Sequence, residues 1–202
     1  MLRGACGSIP HMAADGNAVW DEWLRITRFL QGARLAFARE NNLWTSLQIV
    51  GPVQLAISEP KGKYQVGLAD HLAAVRDAES LFASVLIHSY ALAESAAADQ
   101  LSMTARDFGG IEDWGQRLLE SEGKAWPHLR AGLAGAVKTA VVRNAFAHGT
   151  RVIDEAAERR LRAAGVMNIP AGTVVSLTYD SLQVCRECLR HLLNLGGIKR
   201  SA

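Results

Sequence analysis

Apolar residues recur at three- and four-residue spacing along most of this chain, a period that predicts helices. The first helix is expected from Asn17, a good N-cap with Asp21 and Glu22 in the first turn, through Trp20, Trp23, Ile26, Leu30, Ala33 and Phe37 to Asn41. A short apolar segment, 43–50, is stopped by Gly51-Pro52. Residues 53–58 then alternate apolar and polar, the period of a short strand, and EPKGKY (59–64) reads as a turn-rich loop. One long helix, straight or kinked, is predicted from about Leu68 to Met103. A shorter one within 105–127 puts Ile111, Trp114 and Leu118 on one face. Pro127 suits a first helical position, and Leu129, Leu133, Val137, Ala140 and Val141 follow as one buried stripe up to Gly149, a natural helix stop. Asp154 opens a basic helix to about Ala164. An apolar run, 172–178, leads to a last helix, which Asp180 and Gln183 open as a capping box and which ends at Leu195.

This pattern predicts an all-α fold: a bundle of long antiparallel helices with short loops, an N-terminal helical extension and one short β element. The expected organisation is an unstructured leader over 1–16, the extension over 17–66, the bundle over 67–196 and a tail over 197–202. The 202 residues suffice for a substantial core, and aromatics make up only 6% of a chain rich in alanine and leucine, which favours helices over sheets.

Charge and cysteine content narrow the setting. A net charge of +2 is too small to announce a nucleic-acid binder by its bulk field, so any RNA contact needs a local patch. Arg130, Lys138, Arg143 and Arg151 on or beside the helix before Gly149, and Arg159, Arg160 and Arg162 after it, are either that patch or a solvated face. Three cysteines argue against a disulfide framework and for a reducing compartment. No basic segment followed by an apolar one opens the chain, and the apolar run 81–93, interrupted by His88, reads as too short to span a bilayer. A cytoplasmic protein with no membrane partner is expected.

The chemistry concentrates in VVRNAFAHGT, residues 141–150. Continued past Val141, the apolar stripe runs onto Asn144 and His148, so a polar pair replaces aliphatic residues on a core-facing line. Burying an amide and an imidazole is costly without partners, so the pair is either satisfied internally or lines a cleft. Arg143 lies beside Asn144 and about 140° round the helix from His148. An arginine for phosphate, a histidine for proton transfer and an amide to orient it suit phosphodiester chemistry that needs neither metal nor cofactor. Elsewhere, Cys185, Cys188 and His191 share about 120° of one helix face, yet a zinc site needs a fourth ligand from another turn or element. Both cysteines also fit the stripe of Leu182, Leu189 and Leu192, the expected reading being core packing. His88 reads as a core histidine. Glu94, on the same helix, is a candidate acceptor for Asn144 or Arg143.

Arg143-Asn-Ala-Phe-Ala-His148 resembles the R-x4-6-H motif of HEPN domains, with a polar residue directly after the arginine. These helical ribonuclease domains occur in prokaryotic toxin and antiviral systems. The order of elements over roughly 68–195 resembles that family too, whereas Arg186-Glu-Cys-Leu-Arg-His191 has the spacing but sits mid-helix with an acid after its arginine. The resemblance implies a metal-independent endoribonuclease: an RNA 2′-hydroxyl attacks the adjacent phosphate, leaving a 2′,3′-cyclic phosphate and a 5′-hydroxyl. Arg143 and His148 would be the catalytic residues, with Asn144 and Glu94 supporting. It implies a homodimer that brings two Arg-His pairs into one cleft, and an antitoxin or defence-system partner. A helical module that binds RNA, nucleotide or protein without cutting is the alternative. Two positions depart from the pattern. Glu94 lacks the basic residue four positions on, where Ala98 stands, and Thr150 replaces the tyrosine that toxins silenced by a nucleotidyltransferase carry two residues after the histidine.

Overall fold

The protein is described by a computed structural model over residues 15–59, 62–104 and 107–200, with the backbone alone at 57–59 and 62–64. Among these residues seven α-helices follow in order: α1 (Gly16–Ser46), α2 (Leu68–Arg76), α3 (Ala78–Leu101), α4 (Ile111–Glu120), α5 (Gly132–Ala147), α6 (Glu155–Ala163) and α7 (Tyr179–Leu195). Between α1 and α2 lies one antiparallel hairpin, β1 (Gln54–Glu59) and β2 (Gly62–Gly67), in a register that pairs Gln54 with Gly67. The fold is all-α with one short β element.

Helix α3 organises the bundle. Its residues are apolar on nearly every side, and α1, α4, α5 and α7 all pack against it. By length and composition it is also apolar enough to cross a membrane, contrary to the reading of its 81–93 run as too short, but 56% of its most apolar window is buried inside the protein. Around its first half, Phe82, Val85 and Leu86 meet Ile26 and Leu30 of α1 and Leu182 of α7. Around its second half, Tyr90, Ala93 and Ala97 meet Trp114 and Leu118 of α4, Val137 and Val141 of α5, and Leu189 and Leu192 of α7. His88, expected in the core, falls on the one exposed stripe of α3, with Ser84, Ala91 and Ser95.

Local chemistry moves several boundaries. The continuous helix expected from Leu68 to Met103 is broken at Asp77, whose backbone N–H donates to the carbonyls of Ala73 and Ala74 while its carboxylate accepts the Ser80 N–H at 3.1 Å. One residue thus ends α2 and caps α3. Helix α1 is capped by Asp15, which accepts from the N–H groups of Asn17 and Ala18, so Asn17 lies inside the helix. The helix runs on to Ser46, absorbing half of the segment expected to be separate. The leader expected over 1–16 lies outside the described residues up to 14. The stretch expected as a loop after β1 returns as β2, with residues 60 and 61 outside the description. Trp126–His128 forms an isolated 3-10 turn, and α5 starts only at Gly132, whose φ of +59° ends continuity with Pro127. Leu129 is buried all the same, from the connection between the two. Thr178, with Ser181, caps α7 in place of Asp180 and Gln183.

Trp114 is fully buried, stacked on Phe108 with ring centroids 5.6 Å apart and edge-on to Tyr90, yet its indole N–H has no partner. Trp114→Ala should lower stability by about 3–5 kcal/mol. Trp114→Phe should cost much less, because it removes an unsatisfied donor along with the lost volume. Thermal melts of the two variants check the difference; a loss in Trp114→Phe as large as in Trp114→Ala would contradict it.

Candidate functional site

Helix α5 presents the motif on its last two turns. Val137, Ala140 and Val141 anchor it in the core, and Gly149 at φ +70° closes it with a left-handed turn. The chain then folds back, with the Arg151 N–H donating to the Ala145 carbonyl at 3.0 Å. This termination sets the fates of the three motif residues apart. Arg143 and Asn144 are half-buried, whereas His148, expected on a core-facing line, is the C-cap residue and stands exposed.

Arg143 is held from α3. Its guanidinium donates to the Glu94 carboxylate at 2.6 Å and to the Asn144 side-chain oxygen at 2.8 Å, and its plane lies 4.3 Å over the Tyr90 ring. Glu94 therefore does accept from Arg143. Burial pushes the Glu94 carboxyl above its ordinary value, against the opposing pull of Arg143, and burial likewise pushes the Tyr90 phenol far up. Asn144 orients the arginine, not the imidazole: its side chain bonds Arg143, and only its backbone carbonyl reaches back, accepting the His148 N–H at 3.0 Å.

A second ion pair, with no signal in the sequence, lies within electrostatic reach of Tyr90. Arg160 of α6 grips Glu112 of α4 with two bonds of 2.7 and 2.8 Å, and that guanidinium holds the Glu112 carboxyl below its ordinary value. Glu79, in the first turn of α3, joins the loop after the motif to the segment before α7: it accepts from Arg151 at 2.9 Å and from the Leu177 N–H at 2.7 Å. The residues involved lie 48 to 98 positions apart, with no local pattern to reveal them.

These pairs also decide the basic patch. Arg143, Arg151, Arg159, Arg160 and Arg162 each face a carboxylate, which leaves Arg130 and Lys138 as the cations of the group without an ion pair among the described residues. Cys185 and Cys188 are buried, and burial raises both thiols, Cys188 to about 12, so they are protonated core residues. His191 accepts the Arg130 backbone N–H through Nδ1 at 3.2 Å. Among the described residues no cluster of three or more histidine, cysteine or acidic side chains is placed to hold a metal ion. Cys6 lies outside them.

The two half-buried glutamates should titrate with opposite signs. Glu112 is depressed below the ordinary 4.5, so its contribution is present above that value and is lost as pH falls through the folded-state value. Glu94 is raised, so its contribution is fully present below 4.5 and is lost as pH rises through the folded-state value. Relative to wild type, Glu112→Gln should therefore cost about 1 kcal/mol near neutrality and converge in acid. Glu94→Gln should also converge with wild type in acid, where Glu94 is neutral like glutamine, but its stability relative to wild type should rise toward neutrality, opposite in sign to Glu112→Gln. Melting curves across the acidic range test this; parallel trends would contradict it.

No protein-family model, curated protein or solved structure matches this chain.

Proposed function

We propose that this protein is a metal-independent endoribonuclease of HEPN type. The observation that carries the reading is the end of α5, where a half-buried arginine held by three partners shares the last two turns of one helix with an exposed histidine. A guanidinium oriented in advance by Glu94, Asn144 and Tyr90 suits stabilisation of charge on a phosphoryl group, because little reorganisation remains at the moment of reaction. An imidazole at the surface suits proton transfer to and from a bound strand. Glu94 and Asn144 are positioning residues in this scheme.

One His148 per chain supplies either the acid or the base, so two protomers related by a two-fold axis would bring both pairs into one cleft. Val152, four residues after His148, and Val174, bridged to it, are 39% and 71% exposed and offer an apolar surface for that contact. RNA is the substrate, and an antitoxin or defence-system protein is the natural regulator of such an activity.

A non-catalytic HEPN-like module is the second reading, favoured by a specific observation. Glu94 and Asn144 already engage both terminal nitrogens of Arg143, and among the described residues no side chain orients the His148 ring. In that case the same contacts would stabilise the helix end and the surface would bind RNA, nucleotide or protein without cutting.

Incubation of the purified protein with mixed RNAs and EDTA separates the two. Cleavage should survive chelation and leave cyclic-phosphate ends. His148→Ala and Arg143→Ala should each reduce it at least about 100-fold while the protein stays folded. Arg143→Lys should also fail, since an ammonium cannot reproduce the planar donor fork. Val174→Glu should dissociate the dimer in light scattering and abolish cleavage together. Undiminished cleavage by His148→Ala, or by a clean monomer, would end this mechanism.

A further inference from the structure

A second feature stands independently of the motif. Arg186 of α7 is only 4% exposed, and among the described residues no carboxylate faces it. Its hydrogen bonds leave from Nη2 alone, to Thr27 Oγ1 at 2.8 Å and to the Trp23 carbonyl at 3.5 Å, while Nε is buried without a partner. The guanidinium plane lies 4.8 Å from the Trp23 ring. Taking an unpaired charge out of water is costly, and a methionine would fill much of the same volume without that cost. Burial pulls the guanidinium's pKa down from its ordinary value while leaving it charged.

The buried charge does not face solid protein. It lines an open cleft of about 470 Å³ between α1 and α7, a size that accommodates a small molecule. The rim carries two more arginines, Arg190 and Arg200, against one acid, Glu187. Their present partners are exposed carboxylates, Glu187 for Arg190 and Asp21 for Arg200, and exposed pairs of this kind exchange at a cost of about 1 kcal/mol or less. The opposite wall is Trp20, Trp23 and Leu24, an apolar and aromatic surface.

We propose that this cleft is a binding site for a small organic oxyanion with an aromatic or apolar body, its phosphate or carboxylate head received by Arg186 and its body lying on the tryptophan wall. The head group would supply the missing counter-charge and accept from Nη1, which makes no hydrogen bond among the described residues. Phosphate monoesters and carboxylates share this chemistry, so both are tested.

The full-length protein is titrated by calorimetry and thermal melting with phenyl phosphate, benzoate and, as the neutral counterpart, benzyl alcohol. At least one of the two anions should bind and raise the melting temperature, and benzyl alcohol should do neither; which anion wins identifies the head group. Arg186→Met should weaken binding about tenfold or more and leave the melting temperature of the free protein unchanged or higher. Arg190→Gln, at an exposed position that leaves the core untouched, should weaken binding more mildly. RNA cleavage by wild type and Arg190→Gln is measured alongside, so that loss of the nuclease reading and loss of this one register separately. Failure of both anions to bind at millimolar concentration overturns the proposal. So does a melting temperature that falls markedly in Arg186→Met, which would make Arg186 a structural link between α1 and α7.

Discussion

A helix that is apolar on all but one narrow stripe cannot rest against a single partner. Helix α3 imposes that constraint, and four other helices are arranged to meet it, with α1 and α7 around its first half and α4, α5 and α7 around its second. The motif is a by-product of the same arrangement. Helix α5 docks on α3 through Val137, Ala140 and Val141, and this docking brings Arg143 to Glu94 and Tyr90, the polar end of an otherwise apolar contact.

Charge burial recurs wherever helices meet, with different outcomes. Arg143 with Glu94 and Arg160 with Glu112, both near Tyr90, are ion pairs whose attraction and hydrogen bonds offset the loss of water, although the Arg143 Nε is left buried without a partner. Arg186 has the more buried environment and no such partner. The contrast separates the two candidate sites physically. At the end of α5 the charge is already balanced within the chain and the exposed histidine is the available group. Between α1 and α7 the imbalance itself is the chemical signal, and aromatic surface adjoins it.

The sequence made α-helical periods legible because burial follows the 3.6-residue repeat, so α1, α4, α6 and α7 fall close to where their apolar faces predict them. Breaks decided by a single residue were harder to see. Asp77 interrupts what periodicity alone runs together, and Gly132 moves the start of α5, since an apolar stripe continues undisturbed across both. β2 was hidden because a short Gly-Lys-Tyr-Gln-Val segment is as compatible with a turn as with a strand. For the candidate site, Arg143, Asn144 and His148 were identifiable as a group, and Glu94 as a neighbour on the facing helix. The side chain that Asn144 engages and the exposure of His148 were not, because both depend on where Gly149 terminates the helix. Glu79, Glu112 and Arg186 act across long sequence separations, which no local pattern encodes.

The uneven anchoring of α1 has a consequence for how the molecule opens. At 1.5 Å per residue its 31 residues extend about 46 Å, but the buried ones, Val19, Trp23, Ile26 and Leu30, all lie in the first half. Beyond Leu30 the helix leans on α2, with His71 bonded to Glu40 and Arg76 to Asn41, and α2 in turn leans on the hairpin. Apart from Ala33 and Phe37, which pack partly buried against the core, and Arg34 over the Tyr179 ring, these are polar links in place of core packing. The amides of the distal half of α1, the hairpin and α2 would therefore exchange with solvent as one cooperative unit of low protection, well before the global transition that releases α3. In folding terms the chain has a stable body and a separately melting arm, and the boundary between them lies within a single unbroken helix.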